Sequence, residues 1–174
     1  MNTKELCLGA LFLGDASGYE IKQRFETTFS HFQQASFAAI YPALTRLKAE
    51  GLVSSRVEVQ EKRPDKTVYS LTEAGRQHFI GALHASNGAE TFRSDFILLM
   101  FFAEHLSAEK LTAVLEQHEE TLRRIIDTLT EIRHCGGHSR GQLFTLDYGI
   151  AINQASLAFI EQRKAEFTSQ EPSS

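Results

Sequence analysis

Apolar residues recur three and four positions apart through most of the chain, and strict alternation replaces that rhythm only between residues 52 and 71. Leu6, Ala10 and Leu13 share a face that Leu8, Leu11 and Phe12 widen, which predicts a helix over Lys4–Leu13. Gly14 to Gly18 reads as a turn, and Ser17 caps a second helix, Tyr19–Phe29, on which Ile21, Phe25 and Phe29 lie four apart. Ser30–Ala35, carrying Phe32, connects it to a third helical segment, Ser36–Leu52. Here Ile40, Leu44 and Leu47 form an apolar underside, while Phe37, Tyr41, Thr45 and Lys48 make a neighbouring stripe with Arg46 beside it. Ser36 is placed to cap this helix and Gly51 to end it. Pro42 removes one helical hydrogen bond, so either the turn ahead of it is irregular or the regular helix starts at the proline. Both arrangements put Tyr41 near a helix N-terminus, where phosphates bind well.

In Leu52–Val59, Val57 and Val59 point to one side and Arg56 and Glu58 to the other, as in a half-exposed strand. Glu61–Lys66 is a charged turn containing Pro64, and Thr67–Leu71 is a second strand. Thr72 caps a fourth helix with Phe79, Ile80 and Leu83. Three helices followed by a hairpin describe a winged helix-turn-helix, in which the third helix enters the major groove and the hairpin tip reaches a backbone. The small and polar residues of His84–Glu90 mark a boundary, giving a DNA-binding domain over residues 1–85 and a helical dimerisation domain over 86–174. The fold class is mainly α.

Phe92–His105 is apolar on most sides, which predicts a helix buried on most sides. Ser107 caps a long helix on which Leu111, Leu115, His118, Leu122, Ile125, Leu129 and Ile132 alternate four and three apart. Such a heptad seam packs against another long helix, and Ser107–His134 would measure about 40 Å. After a turn at Arg133–His138, a last helix from Arg140 to Phe167 repeats the seam with Leu143, Leu146, Ile150, Asn153, Leu157 and Ile160. Two seams and a Phe-rich helix expose too much apolar area for one copy, so a two-fold dimer is expected, with Leu111, Leu115, His118, Leu122, Ile125, Leu129, Leu143, Ile150 and Leu157 at its interface. Such a dimer sets two recognition helices about one DNA turn apart, matching a palindrome.

Composition changes this picture little: 42% hydrophobic and 23% charged residues suit an ordinary globular protein. The longest unbroken apolar run, Phe96–Ala103, is too short to span a bilayer, and the N-terminus lacks the pattern of a signal peptide, so a cytoplasmic protein is expected. Charge is more informative. The net −4 divides unevenly: residues 1–85 hold ten Lys and Arg against nine Asp and Glu, and residues 86–174 hold eight against thirteen. Any DNA contact therefore belongs to the first half and is local. Phosphate-binding loops, dinucleotide-binding glycine fingerprints and nucleophile elbows are all missing from the sequence, which argues against an enzyme, and no cofactor is expected.

The run Ser36-Phe37-Ala38-Ala39-Ile40-Tyr41-Pro42-Ala43-Leu44 through Glu50-Gly51-Leu52 resembles the recognition helix of PadR-family transcriptional regulators. Gly18-Tyr19-Glu20-Ile21 is similar to that family's start of helix two, and Tyr69-Ser70-Leu71-Thr72-Glu73-Ala74-Gly75 to its wing exit. Ala38 stands where the family usually has glycine. Asp95–Ala103 resembles the C-terminal domain of the subfamily that includes virulence-gene activators. The resemblance implies a DNA-binding regulator, most often a repressor, dimerising through its helical domain, with some members answering to small aromatic acids.

The DNA-contacting candidates are Ser36, Phe37, Tyr41, Thr45, Arg46 and Lys48 on the helix, and Arg56, Lys62, Arg63 and Lys66 on the wing. Arg46 suits either a guanine edge or a phosphate. Phe37 could instead be core, and Tyr41 could pack against the wing. Phe92, Phe96, Phe101 and Phe102 are candidates for an effector pocket or, more simply, for core. His118 in the seam could sense pH or fix helix register. His134, Cys135 and His138 offer three metal donors on one loop, where structural zinc takes four, so the site reads as a helix–helix turn and no metal is expected. The competing function is a winged-helix adaptor that binds protein partners and no DNA.

Overall fold

The computed structural model describes residues 1–27, 37–59, 65–89 and 92–168. Phe29, Phe32, Ser36, Lys62, Arg63 and the expected tail beyond Thr168 fall outside them, as does the side chain of Phe37. The chain divides into two compact units, Met1–Glu90 and Thr91–Ser174.

The first unit runs α1 (Thr3–Phe12), β1 (Ala16–Ser17), α2 (Gly18–Thr27), α3 (Ile40–Ala49), β2 (Val53–Glu58), β3 (Lys66–Leu71) and α4 (Glu73–Ala85). Asn2 and Glu5 form a reciprocal capping box at the start of α1. The buried face of α1 is Cys7, Leu8, Ala10 and Leu11, whereas Leu13 is half exposed, so the expected Leu6–Ala10–Leu13 face is rotated by about one residue. Burial pushes the Cys7 thiol up to about 12, leaving a neutral core residue. With Ile21, Phe25, Ile40, Ala43, Leu44, Leu47 and Val53 these residues make one continuous core. β1, within the expected turn, is an addition: two residues are too few for a periodic signal, yet they complete an antiparallel sheet of order β1-β3-β2, with Ala16 opposite Tyr69 and Ser17 opposite Val68. β2 and β3 pair from Val53 opposite Leu71 to Glu58 opposite Lys66. Thr72 caps α4 as expected, accepting from the Gly75 amide while its hydroxyl also reaches the Leu52 carbonyl.

The second unit contains α5 (Asp95–Phe101), α6 (Ala108–His134) and α7 (Arg140–Thr168). Ser107 caps α6, and Gly136 and Gly137, both at positive φ, turn the chain into α7. The ion pairs Glu116–Lys164, Arg123–Glu161 and Arg133–Asp147 show that α6 and α7 run antiparallel. The seam of α6 is consumed inside the chain: Leu111, Leu115, Leu122 and Leu129 are each at most 5% exposed, as Leu146 and Ile160 of α7 nearly are. That differs from the expected dimer seam, because a side chain already buried against its own hairpin has no surface left to offer a partner. His118, Ile125, Ile150 and Leu157 are half-buried on the same seam, and Leu143 lies at its exposed edge. α5 also departs from expectation. It ends at Phe101, followed by a short 3-10 turn at Ala103–His105, and none of its residues is buried.

The exposed apolar side chains of this unit collect on α5 and on a second face of α7. Phe144, Tyr148, Ile152 and Phe159 follow one stripe of α7 at four- and seven-residue intervals, all exposed. Residues 140–167 are long and apolar enough, by length and composition, to cross a membrane. This length is not marked by an unbroken apolar run, because α7 spreads its apolar residues over two faces.

Candidate nucleic-acid interface

The third helix carries the expected two-sided pattern. Ile40, Ala43, Leu44 and Leu47 are buried, while Tyr41, Thr45, Arg46 and Lys48 face outward. The helix begins later than Ser36: Phe37–Ala39 is a 3-10 turn and α3 proper starts at Ile40, with Ala39 at the N-cap and no side-chain cap. The irregular turn ahead of Pro42 is thus the arrangement realised. Pro42 falls within the first three helical positions, where an amide has no helical acceptor, so its missing N–H costs nothing. Thr45 Oγ1 donates to the Tyr41 carbonyl at 3.0 Å, fixing the hydroxyl rotamer. At the far end Gly51 takes φ 70°, and the Leu52 amide bonds back to the Leu47 carbonyl at 2.9 Å, a Schellman closure.

Tyr41 is 61% exposed yet its ring is seated. It lies over Gly18, the first residue of α2; a Cβ at that position would stand 2.6 Å from Tyr41 Cε1. The ring therefore joins the starts of α2 and α3. Tyr19, next to that seat, is 67% exposed. Arg46 and Lys48 make no ion pair with any described residue, so both ammonium and guanidinium charges face solvent undischarged.

The wing cations are held differently. Arg56 Nη1 donates to Asp15 Oδ2 at 2.6 Å and to Ser70 Oγ at 3.0 Å, and Nη2 lies 3.1 Å from Glu58 Oε1. Lys66 Nζ sits 2.8 Å from Glu20 Oε1. Glu20 also closes a capping box on α2, its Oε2 accepting from the Ser17 amide and hydroxyl while the Ser17 hydroxyl accepts from the Glu20 amide. The bond from Lys66, with those from Ser17, holds the Glu20 carboxyl down to about 2. The Arg56 guanidinium likewise holds Asp15 below the usual carboxylate range. Two of the four expected wing contacts are thus already paired in the free protein.

Sequence reasoning missed Asp15, Gly18 and Glu20, because each acts across elements distant in sequence. The Ser17-x-x-Glu20 spacing was the one visible signal. Arg24 was missed too: it donates to the Ala10, Gly14 and Asp15 carbonyls and so closes the end of α1 against the turn that carries Asp15.

In the second unit a cavity of about 640 Å³ lies between α5, α6 and α7. Phe92 and Phe96 line it, with Phe159, His118 and Asn153; Phe101 and Phe102, at the end of α5, do not, and are 74% and 48% exposed. The His118 ring stacks on Phe96 at 3.8 Å between centroids, and burial lowers its pKa. At the hairpin turn His138 Nε2 lies 2.7 Å from the Ile132 carbonyl and the Cys135 thiol bonds to the Glu131 carbonyl, so these donors serve the backbone. Among the described residues no three metal-ligand side chains converge.

Comparison with known proteins bears on both units. Residues 7–80 match the Transcriptional regulator PadR-like family, and residues 92–168 match the family described as Virulence activator alpha C-term. Over 108 residues the chain is 32% identical to the Negative transcriptional regulator PadR of Bacillus subtilis (strain 168); the match covers 62% of this chain and 59% of that protein, less than two thirds of the relative's length. The crystal structure of the PadR-like transcriptional regulator BC1756 from Bacillus cereus superposes with a TM-score of 0.83 at 29% identity, covering 96% of each chain. The structure of Bacillus subtilis PadR in complex with operator DNA gives 0.76 at 24% identity, covering 94% of this chain and 98% of that one. The same regulator has been solved with p-coumaric acid, at a TM-score of 0.68 and 23% identity, covering 94% and 97%.

Proposed function

The chain belongs to the PadR-like family of transcriptional regulators, its N-terminal unit joined to a virulence-activator C-terminal domain, and we propose that it binds operator DNA as a two-fold dimer and represses transcription in the cytoplasm. One observation carries this reading: the buried Ile40, Ala43, Leu44 and Leu47 clamp α3 to the core and leave Tyr41, Thr45, Arg46 and Lys48 as a rigid outward face. A rigid, charged helix face with no partner of its own is what a major groove requires. Repression follows the name of the Bacillus subtilis relative, and its operator-bound structure lends the DNA reading support. For the dimer the support is the apolar stripe of α7 together with the exposed Ile97, Leu98 and Phe101 of α5, an area that a second copy would cover.

Footprinting of the protein's own upstream region tests the function. Protection of two half-sites about one helical turn apart is expected. Arg46→Ala should weaken that binding by about tenfold or more, since a base or phosphate contact of this type is worth roughly 1–3 kcal/mol. Footprints absent at low salt, with a partner protein captured instead, would establish the adaptor reading.

Effector control rests on the cavity of the second unit. Its lining combines the rings of Phe92, Phe96 and Phe159 with Arg93, while Arg163 and Lys164 at its edge are paired with Glu166 and with Glu116 and Glu119. Aromatic walls beside the Arg93 guanidinium fit a small aromatic acid, the class represented by p-coumaric acid in the Bacillus subtilis structure. A melting-temperature rise with p-coumaric acid, lost in Phe96→Ala, is the expected result. No shift across a panel of phenolic acids would reject the aromatic-acid class.

A further inference from the structure

The described cations among the DNA-contacting candidates fall into two groups. Arg46 and Lys48 on α3 project without ion-pair partners among the described residues, whereas Arg56 and Lys66 on the sheet are each held by a carboxylate from outside the hairpin: Asp15 from the α1–β1 turn and Glu20 from the first turn of α2. Neither carboxylate is placed by chance. Glu20 is fixed by its capping box with Ser17, and the Asp15 turn is tied down by Arg24. Both flank Gly18, on which Tyr41 of α3 is seated. With Glu58 and Arg24 included, three cations face three carboxylates, so the base of the wing carries no net positive charge in the free protein.

We propose that Asp15 and Glu20 are specificity-determining residues, holding Arg56 and Lys66 away from non-cognate phosphates and releasing them only to a duplex that α3 has registered. The claim rests on the DNA-binding reading above. Its physical basis is the small value of exposed ion pairs. All four groups are substantially exposed, with side-chain accessibilities of 53% and 46% for Arg56 and Asp15, and 30% and 41% for Lys66 and Glu20. Such pairs are weak enough for a well-placed phosphate to replace them. Binding without sequence preference comes almost wholly from phosphate neutralisation and counterion release. Withholding two cations per protomer therefore removes a larger share of non-specific affinity than of operator affinity, which α3 contributes to independently. The carboxylates cost some affinity everywhere and raise the ratio between right and wrong DNA. Exchange breaks no covalent bond: each cation changes one anionic acceptor for another.

The test uses the full chain and two probes, a short random-sequence duplex and a duplex enriched from a random pool by the wild-type protein. Asp15→Asn with Glu20→Gln keeps the cap on α2, since Gln serves a capping box as Glu does, but removes both charges and leaves an amide nitrogen where Lys66 had its acceptor. On the random duplex this double variant should bind about tenfold more tightly, with its log–log salt slope steeper by about two per protomer. On the enriched duplex affinity should rise less, so the ratio falls. The reciprocal variant, Arg56→Gln with Lys66→Gln, should lose slope on the enriched duplex and change little on the random one. Unchanged salt slopes in the carboxylate variant, at an unchanged melting temperature, would overturn the proposal. So would equal losses on both duplexes in the cation variant, a result that remains decisive even if the carboxylate variant folds poorly. Enrichment of no sequence by the wild-type protein would sink the regulator reading, while the random-duplex slopes would still judge the clamp.

Discussion

The two units solve the burial problem in opposite ways. In the first, apolar residues from three helices and the sheet close on one another within a single chain, and Leu8, Ile21, Leu44 and Leu47 have no accessible surface at all. In the second, α6 and α7 bury one seam between them and leave a second stripe of α7 and most of α5 in the open, with Phe159 at 62% and Phe101 at 74% exposure. A unit that finishes its own core can turn a polar face outward and use it for recognition. A unit that does not finish its core keeps an apolar face whose free energy of burial is available to another chain. Stability should accordingly be a property of one chain in the first unit and of concentration in the second.

The sharpest way to break the first half of that contrast is at Gly75. A Cβ there would stand 2.0 Å from the Leu52 carbonyl oxygen, a backbone atom held by Thr72. Backbone cannot yield as a flexible side chain can, so Gly75→Ala should destabilise the first unit by about 4 kcal/mol or more. Denaturant unfolding should show the whole loss at every protein concentration. A cost below about 1 kcal/mol would mean that α4 shifts freely over the sheet, and that the unit is less closed than its core implies.

The second half is tested on α7. Phe144→Glu with Phe159→Glu places charges on the exposed stripe and leaves the buried Leu115–Leu122–Ile160 cluster untouched. The dimer should weaken by about 2 kcal/mol per lost anchor, roughly thirtyfold each, read by sedimentation across a dilution series. Helix content at high concentration should be unchanged. Loss of helicity with no change in mass would show that the stripe supports the hairpin itself. The same substitutions at Leu111 or Leu129 should unfold the hairpin instead, since those residues are buried in the single chain.

How far each unit could be read in the sequence follows from the same contrast. The underside of α3 was legible because Ile40, Leu44 and Leu47 pack inside the chain and obey one period. The Schellman end at Gly51 and the caps at Ser17, Thr72 and Ser107 were legible because capping is local chemistry. The α6 seam was legible as a seam, but not as to its partner: four-and-three spacing states that a helix packs, and α7 of the same chain satisfies it as well as a second copy would. The start of α3 was legible only as two alternatives, because Ser36 and Pro42 give conflicting local signals, and the 3-10 turn at Phe37–Ala39 realises the irregular one. The candidate DNA face was half legible. Outward positions on α3 follow from periodicity, whereas the pairing of Arg56 with Asp15 and of Lys66 with Glu20 joins residues more than forty positions apart and leaves no periodic trace.

The smallest expected effect concerns pH, and it sharpens the account of the first unit. Glu20 has a folded-state carboxyl depressed from 4.5 to about 2, chiefly by Lys66 and by the Ser17 amide. A depressed acid stabilises the fold when ionised, so its contribution is complete above about 4.5 and is lost as pH falls from there toward 2. The side chain is 41% exposed, and solvent screening reduces the contribution to about 1 kcal/mol. Stability measured by denaturant between pH 5 and pH 3, values chosen to span roughly the window of a normal carboxyl, should fall in the wild type beyond what other carboxylates cause. Glu20→Gln keeps the cap without the charge, so the difference between the two proteins should be largest near neutrality and close to zero at the acid end. A constant difference across the range would mean that the carboxylate acts through hydrogen bonding alone, and that Lys66 is held by the sheet and not by Glu20. In that event the wing cation would be available to any phosphate, and the closed first unit would keep its core but lose its control over charge.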